Sequence, residues 1–306
     1  MSQAMEEPVY HIPALLPEVL EMLDIKPRGI YVDVTFGGGG HSRAIMERLD
    51  AEGHLYSFDQ DKDAVERAFD DVRFTMVHGN FRYLRNFLRY YKVDGIDGLL
   101  ADLGVSFHHF DDPGRGFSFR WDGRLDMRMN QESSLDAVKV LNEYSEEQLS
   151  DIFYLYGELK NARRLARAIV GARGTARIET VDNLRSVIAP YINPKQEKKE
   201  LAQIFQALRI EVNHEIDALK AMLSQALECL KPGGRMAVIT YHSLEDRLVK
   251  NFMKTGNLEG KADKDFYGRS LSPMKLVTSK PIVPTAEEVD RNPRSRSAKL
   301  RVAEKL

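Results

Sequence analysis

The residues best placed to do chemistry gather in Ile30–Arg43 (IYVDVTFGGGGHSR). An apolar, β-prone run reaches Asp33, passes through Val34, Thr35 and Phe36, meets four glycines at Gly37 to Gly40, and continues at His41 into a helical pattern. A strand that stops at glycines and restarts as a helix is the strand–loop–helix of a nucleotide-type site, because glycine lets the backbone take positive φ and come close to a ligand. The spacing excludes two ligands. Counted from Gly37, the third glycine of a dinucleotide fingerprint would fall at Ser42, and the final Gly-Lys of a phosphate-cradling loop at Ser42 and Arg43. What remains is an acid, Asp33, four residues before a Gly37-x-Gly39 pair. A second acid, Asp59, follows the glycines by about 20 residues, where a βαβ unit places a carboxylate that accepts hydrogen bonds from ribose hydroxyls. In isolation Asp59 would serve equally well as a helix cap.

The elements that must hold these residues alternate. His11–Leu23 reads as a short helix with Pro17 in its first turn, and Ile30 opens the first strand. Ala44, Ile45 and Leu49 give a helix face ending near Gly53, and His54–Phe58 a second strand. Asp61–Phe69 reads as a helix, Arg73–Val77 as a third strand, Arg82–Tyr91 as a helix, and Ile96–Ala101 as a buried fourth strand ending at Asp102. This alternation predicts a parallel α/β sheet with its ligand at the C-terminal ends of the strands. Phe81, after the third strand, can stack on a flat ring or pack under the sheet.

From His108 to about Lys199 the rhythm stops. A loop rich in Gly, Phe and Asp, His108–Asp126, precedes a helix opened by a capping box at Ser145–Gln148, a second over Ala162–Val170 and a third over Thr180–Ile188. Such a stretch is too long for a loop. The expected organisation is a Rossmann-like sheet domain from residues 1–107 and 211–306, with a helical domain, 108–210, inserted into it. Apolar residues from Leu201 to Leu230 in steps of three and four predict one long helix or two in tandem. Leu230–Gly234 (LKPGG) then turns into a fifth strand, Arg235–Thr240. Ser243 and Asp246 are placed as a capping pair for a helix running through Met253, and Ser297–Ala303 as a closing strand.

Composition sets the outer bounds. With 43% hydrophobic and 29% charged residues, the 306-residue chain is ordinary for a globular protein. No apolar run approaches a membrane span, the acidic start is unlike a signal peptide, and the single cysteine, Cys229, excludes an internal disulfide and a multi-cysteine metal site. These features point to the cytoplasm, and no metal-ligand spacing stands out. Net charge is −2, but Lys160–Arg177 and Arg291–Arg301 are rich in arginine and contain no acid. Such runs are usually solvated faces; beside a nucleotide-type site they suggest a phosphate-rich partner.

The acid–glycine pattern and the LKPGG turn resemble class I S-adenosylmethionine (SAM)-dependent methyltransferases. Taken in order, VDVTFGGGGHS, DGLLADLGVS, RGFSFRWDGRLDMRM, FQALRIEVNHE, LKPGGRMAVITYHSLEDRLVK and NPRSRSAKLR resemble the successive motifs of the bacterial 16S ribosomal RNA cytosine-N4 methyltransferases, from about His11 to Arg301. GFSFRWDGRLDMRM and YHSLEDR are the most specific of them. The resemblance implies a class I methyltransferase fold, SAM as cofactor, and a cytidine of small-subunit 16S rRNA as substrate. It further implies Gly39, Gly40 and His41 around the methionine part of SAM, Asp59 on the ribose, Phe81 near the adenine, and Asp102 and His109 closing the pocket. At the last position the family usually carries Gln; this chain reads Ser106-Phe107-His108-His109, and a histidine contact there would depend on pH.

The reaction so implied is difficult at the cytosine amine, whose lone pair is delocalised into the ring. Acceptors beside its hydrogens favour a pyramidal nitrogen. Many amino-methyltransferases place D/N/S-P-P-Y/F/W after the fourth strand, whereas this chain has Asp102-Leu103-Gly104-Val105. Asp102 is the first candidate for organising the amine, against a role in SAM binding alone. His242 and Glu245, after the fifth strand, are second candidates, with helix capping and surface pairing as the plainer reading. The inserted helices, Trp121 and the arginine-rich runs are expected to meet RNA, whose target base must leave its stack. A small-molecule methyltransferase on the same fold would leave the arginine runs unexplained, and a non-catalytic RNA-binding module would need no SAM pocket.

Overall fold

The computed structural model describes residues 12–105, 112–262, 264–268 and 271–306. Two compact units divide the chain: Met1–Gly104 with Asp217–Leu306, and Val105–Ile216.

The first unit is built on seven strands: β1 (Ile30–Asp33), β2 (His54–Asp59), β3 (Phe74–His78), β4 (Ile96–Asp102), β5 (Leu230–Thr240), β6 (Met274–Leu276) and β7 (Lys299–Lys305). Their order in the sheet is β3-β2-β1-β4-β5-β7-β6. The first five run parallel, and β7 lies antiparallel between β5 and β6. The Rossmann-like sheet expected from the alternation is therefore present. Side chains alternate across it. Tyr31 faces a layer with Leu55, Leu100, Ala237, Leu300 and the helix α1 (Leu16–Leu23). Val32 faces the other layer, with Phe58, Leu99 and Met236. Burying such side chains stabilises the sheet by roughly 1.5–3 kcal/mol each. Strand order reverses between β1 and β4, and the register sets Asp33 beside Ser57 and Leu100 and Asp102 beside Ile239. The acids thus share the C-terminal edge at the switch point, where open α/β sheets bind ligands.

Three local expectations change. The helix after the glycines, α2 (Gly40–Met46), stops well short of Gly53. The helix expected over Asp61–Phe69 is one turn, α3 (Lys62–Val65). Leaving the helix lets Phe69 lie 4.0 Å from the Phe74 ring and 6.1 Å from that of Phe36, so aromatic packing overrides the helical pattern. The third strand is followed by a 3₁₀ turn, Phe81–Tyr83, and then α4 (Leu84–Tyr90).

In the second unit, α5 (Ala137–Glu143), α6 (Glu146–Leu155), α7 (Ala162–Arg173), α8 (Val181–Ile188) and α9 (Glu197–Asn213) enclose a core of their own. The Ser145 hydroxyl accepts from the Gln148 amide and the Gln148 side chain accepts from the Ser145 amide, completing the capping box. Helix α5 was not evident from periodicity; its signal is the N-cap, Asp136, whose carboxylate accepts from the Lys139 amide at 2.7 Å. The long amphipathic pattern resolves into two helices: α9 ends at Asn213, His214 turns the chain at φ 50°, and α10 (Glu215–Cys229) follows. The later helices are α11 (Ser243–Thr255) and α12 (Ala286–Arg291). Among the described residues, no helix is long and apolar enough to cross a membrane.

Candidate functional site

The glycine loop is held by a buried polar network. Asp33, at the end of β1, is fully buried. One of its oxygens accepts from the Ser42 hydroxyl at 2.7 Å, and Ser42 in turn contacts the Ser57 hydroxyl at 2.8 Å. The other accepts from the Thr35 amide at 3.0 Å and the Thr35 hydroxyl at 3.3 Å, while that hydroxyl accepts from the Asp102 amide at 2.7 Å. Burial raises the Asp33 pKa, and the hydrogen bonds from Ser42 and Thr35 partly counter it. The network ties β1, β2, β4 and α2 together at the loop. Asp33 is thus the scaffold of the loop.

Gly37 and Gly39 take φ of 53° and 76°. At Gly39 a Cβ would also meet the Phe36 ring at 2.8 Å, so both conformation and space require glycine. Asp59 sits on this loop: one carboxylate oxygen accepts from the Gly37 amide at 2.9 Å and the other from the Asp61 amide at 2.9 Å. The two acids that bracket the loop in sequence therefore do different work, one beneath it and one beside it.

Asp102 ends β4 with its side chain 14% exposed. Tyr241 donates its hydroxyl to Asp102 Oδ1 at 2.8 Å, and His41 Nδ1 stands 3.7 Å from Oδ2. The other imidazole nitrogen, Nε2, lies 3.0 Å from the Ala14 carbonyl, which can only accept, so Nε2 carries the proton and Nδ1 presents a lone pair toward Asp102. Burial lowers the His41 pKa, with Asp102 working against it, and the ring is neutral at pH 7. Burial pushes Asp102 up to about 6, countered in part by His41 and by the Tyr241 hydrogen bond. Tyr241 is raised well above its ordinary value by burial and by the facing carboxylate, and stays a donor. A carboxyl whose pKa is displaced toward neutrality by burial and specific partners is a candidate for a functional role.

His242 is the N-cap residue of α11, without a side-chain cap. Its Nε2 lies 3.1 Å from Glu245 Oε1, off hydrogen-bond geometry, so among the described residues neither ring nitrogen has a hydrogen-bond partner. Glu245 is buried and accepts from the Tyr241 amide at 3.0 Å. Helix α11 begins at Ser243, with His242 rather than Ser243 in the N-cap position expected of the Ser243–Asp246 pair. Asp246 instead holds Arg301 at 2.6 Å and Lys299 at 3.3 Å, both on β7. That pairing engages two cations of the C-terminal basic run, Arg301 largely buried and Lys299 still 43% exposed. Phe81 lies partly buried against the core under the sheet, and beside it the Asn80 side chain donates to Gln60 at 2.8 Å, bracing the loops after β2 and β3. Trp121 is 46% exposed in the second unit, and His109 lies outside the described residues.

Sequence reading missed Ser42, Ser57, Thr35 and Tyr241. The available signal was a polar residue inside an apolar strand, as Ser57 is in HLYSFD.

A doubly wound sheet carrying an acid-flanked glycine loop at its switch point defines a Rossmann-like protein of the class I methyltransferase type. Residues 8–306 match the MraW methylase family, and the chain belongs to that family. It is 62% identical over 305 residues to ribosomal RNA small subunit methyltransferase H of Phocaeicola vulgatus, covering all of both chains. It is 63% identical to the protein of that name from Parabacteroides distasonis, covering 97% of this chain and 98% of the other, and 56% identical to that of Flavobacterium johnsoniae, with the same coverage.

Proposed function

We propose that this protein transfers a methyl group from SAM to the exocyclic N4 amine of a cytidine in the 16S rRNA of the small ribosomal subunit, in the cytoplasm, with residues 108–210 recognising the RNA. The observation that carries the reading is Asp59 fixed on the glycine loop by the Gly37 amide, which orients a carboxylate for ribose hydroxyls beside backbone able to approach a ligand closely. At Gly37 a Cβ would meet only the Thr35 carbonyl, at 4.0 Å, so the loop is open on that side. Family membership and the names of the relatives support the methyl-transfer chemistry and the RNA substrate.

Bound there, SAM supplies an electrophilic methyl on its sulfonium. Gly39, Gly40 and His41 would line its methionine part, Asp59 would hold the ribose and Phe81 would border the adenine; His109, expected from the resemblance to close the pocket, lies outside the described residues. A neutral His41 places no second cation beside the sulfonium. Asp102, ionised above about pH 6, accepts from the cytosine amine and favours the pyramidal nitrogen that attacks. Tyr241 orients that carboxylate through its hydroxyl. His242, with its unpartnered buried nitrogens, is the second group able to take the amine proton.

The test is incubation with methyl-labelled SAM and immature small-subunit particles or 16S RNA, followed by mapping of the label. Label on cytidine N4 is expected. Label only on a small molecule, or on another base atom, overturns the reading.

A further inference from the structure

Both basic runs keep exposed arginines, Arg291, Arg294 and Arg296 in the C-terminal one, but the α7 run is the one that lines a groove. In the C-terminal run Arg301 and Lys299 are committed to Asp246. In the other, the apolar stripe of α7, Leu165, Ala166 and Ile169, is buried in the helical core, which turns Arg163, Arg164 and Arg167 outward. These three arginines rim a groove of about 520 Å³ that Tyr191 also lines. Its floor is made of small residues, Ala168 and Gly171, and a Cβ added at Gly171 would meet nothing within 4 Å. Among the described residues, no acid lines the groove. The Arg164 guanidinium stands over the Tyr191 ring at 5.8 Å, and Tyr191 is 36% exposed. Arg167 reaches Glu146 at 3.4 Å, but with 79% and 44% of the side chains exposed this pair is weak.

We infer that the α7 groove binds single-stranded RNA, with Arg163 and Arg167 on successive phosphates and a base stacked against Tyr191 and Arg164. This rests on the proposed RNA substrate and deepens it by locating a backbone contact within the inserted unit. Arg163 and Arg167 are one helical turn apart, about 6 Å along the axis, close to the spacing of neighbouring phosphates. An acidic protein would match the charge equally well but would have no use for an aromatic face framed by a guanidinium. Base stacking on aromatic and arginine planes is the way single strands are held without sequence readout. The small floor admits a flat group between the arginines.

The experiment measures binding of the full-length protein to a 16S rRNA fragment as a function of salt. Replacing Arg163, Arg164 and Arg167 together by alanine is expected to flatten the log K against log salt slope by about 1.4, at ~0.7 for each of the two phosphate contacts. The KM for RNA should rise by on the order of tenfold at moderate salt, with SAM affinity and kcat unchanged. Gly171→Leu fills the groove while leaving every charge and favouring the helix; it should weaken RNA binding without lowering the melting temperature. Tyr191→Phe should bind as wild type and Tyr191→Ala should not. An unchanged salt slope in the triple variant overturns the assignment, as does displacement of the RNA by polyglutamate at equal charge concentration. Failure of the wild-type protein to transfer methyl would overturn the proposed function instead; the binding slopes are read without any transfer.

Discussion

At the sheet edge Asp33 is fully buried, Asp102 nearly so, and both have pKa values displaced upward by loss of water. On α7, Arg163, Arg164 and Arg167 stand in solvent around an open groove. The first arrangement fixes a few polar atoms at hydrogen-bond distances where each interaction is strong and an unpaired group is costly. The second trades position for reach, since exposed charges act over roughly 8 Å at physiological salt and are screened beyond it. On the proposed reading, one region acts on a single amine and the other collects a long polyanion. The difference predicts that buried substitutions change chemistry or stability, and exposed ones change only the approach of the substrate.

The largest expected effect is on the reaction. Asp102→Asn should lower kcat by roughly 10²–10⁴-fold with RNA binding intact, measured in single turnovers; a normal kcat would place Asp102 outside the chemistry. In the wild-type protein kcat/KM should rise with pH through about 6 as the Asp102 carboxylate ionises. Tyr241→Phe removes a hydrogen bond that favours the ionised form, so that limb should move to higher pH. Next comes stability. Asp246→Ala leaves Arg301 without its carboxylate and should cost about 3 kcal/mol by chemical denaturation. The Asp246 pKa is held below its ordinary 3.8 chiefly by Arg301 and Lys299, against the cost of burial, so this contribution is present above pH 4 and is lost as acid titrates the folded carboxylate. Asp59→Ala should weaken SAM binding by about 1–3 kcal/mol, seen by calorimetry, with the melting temperature of the SAM-free protein little changed. At the small end, Glu146→Ala removes only the exposed partner of Arg167 and should change stability by less than about 0.5 kcal/mol. A loss there as large as that of Asp246→Ala would erase the contrast between the two regions.

What could be read in advance follows the range of each interaction. The glycine loop and Asp59 were legible because backbone conformation and βαβ spacing are local. The capping box at Ser145 was legible for the same reason. Tyr241 beside Asp102 was not, since only the parallel register of β4 and β5 brings residues so distant in sequence together. Asp246 misled because the i, i+3 spacing of a cap is satisfied on paper, while its real partners arrive from β7 more than fifty residues later. The arginine runs looked equivalent as composition. The groove on α7, and the hold of Asp246 on Lys299 and Arg301, separate them.

The strand order has a consequence for how the molecule is made. The inserted unit is one continuous segment whose helices close on their neighbours, so its core can form as soon as residues 105–216 have been synthesised. The sheet cannot keep pace: β4 waits for β5 across that whole segment, and β6 reaches the sheet only through β7. Until Lys299–Lys305 are in place, β5 presents an unpaired edge, and its apolar run from Met236 to Ile239 is the stretch most exposed to misassembly.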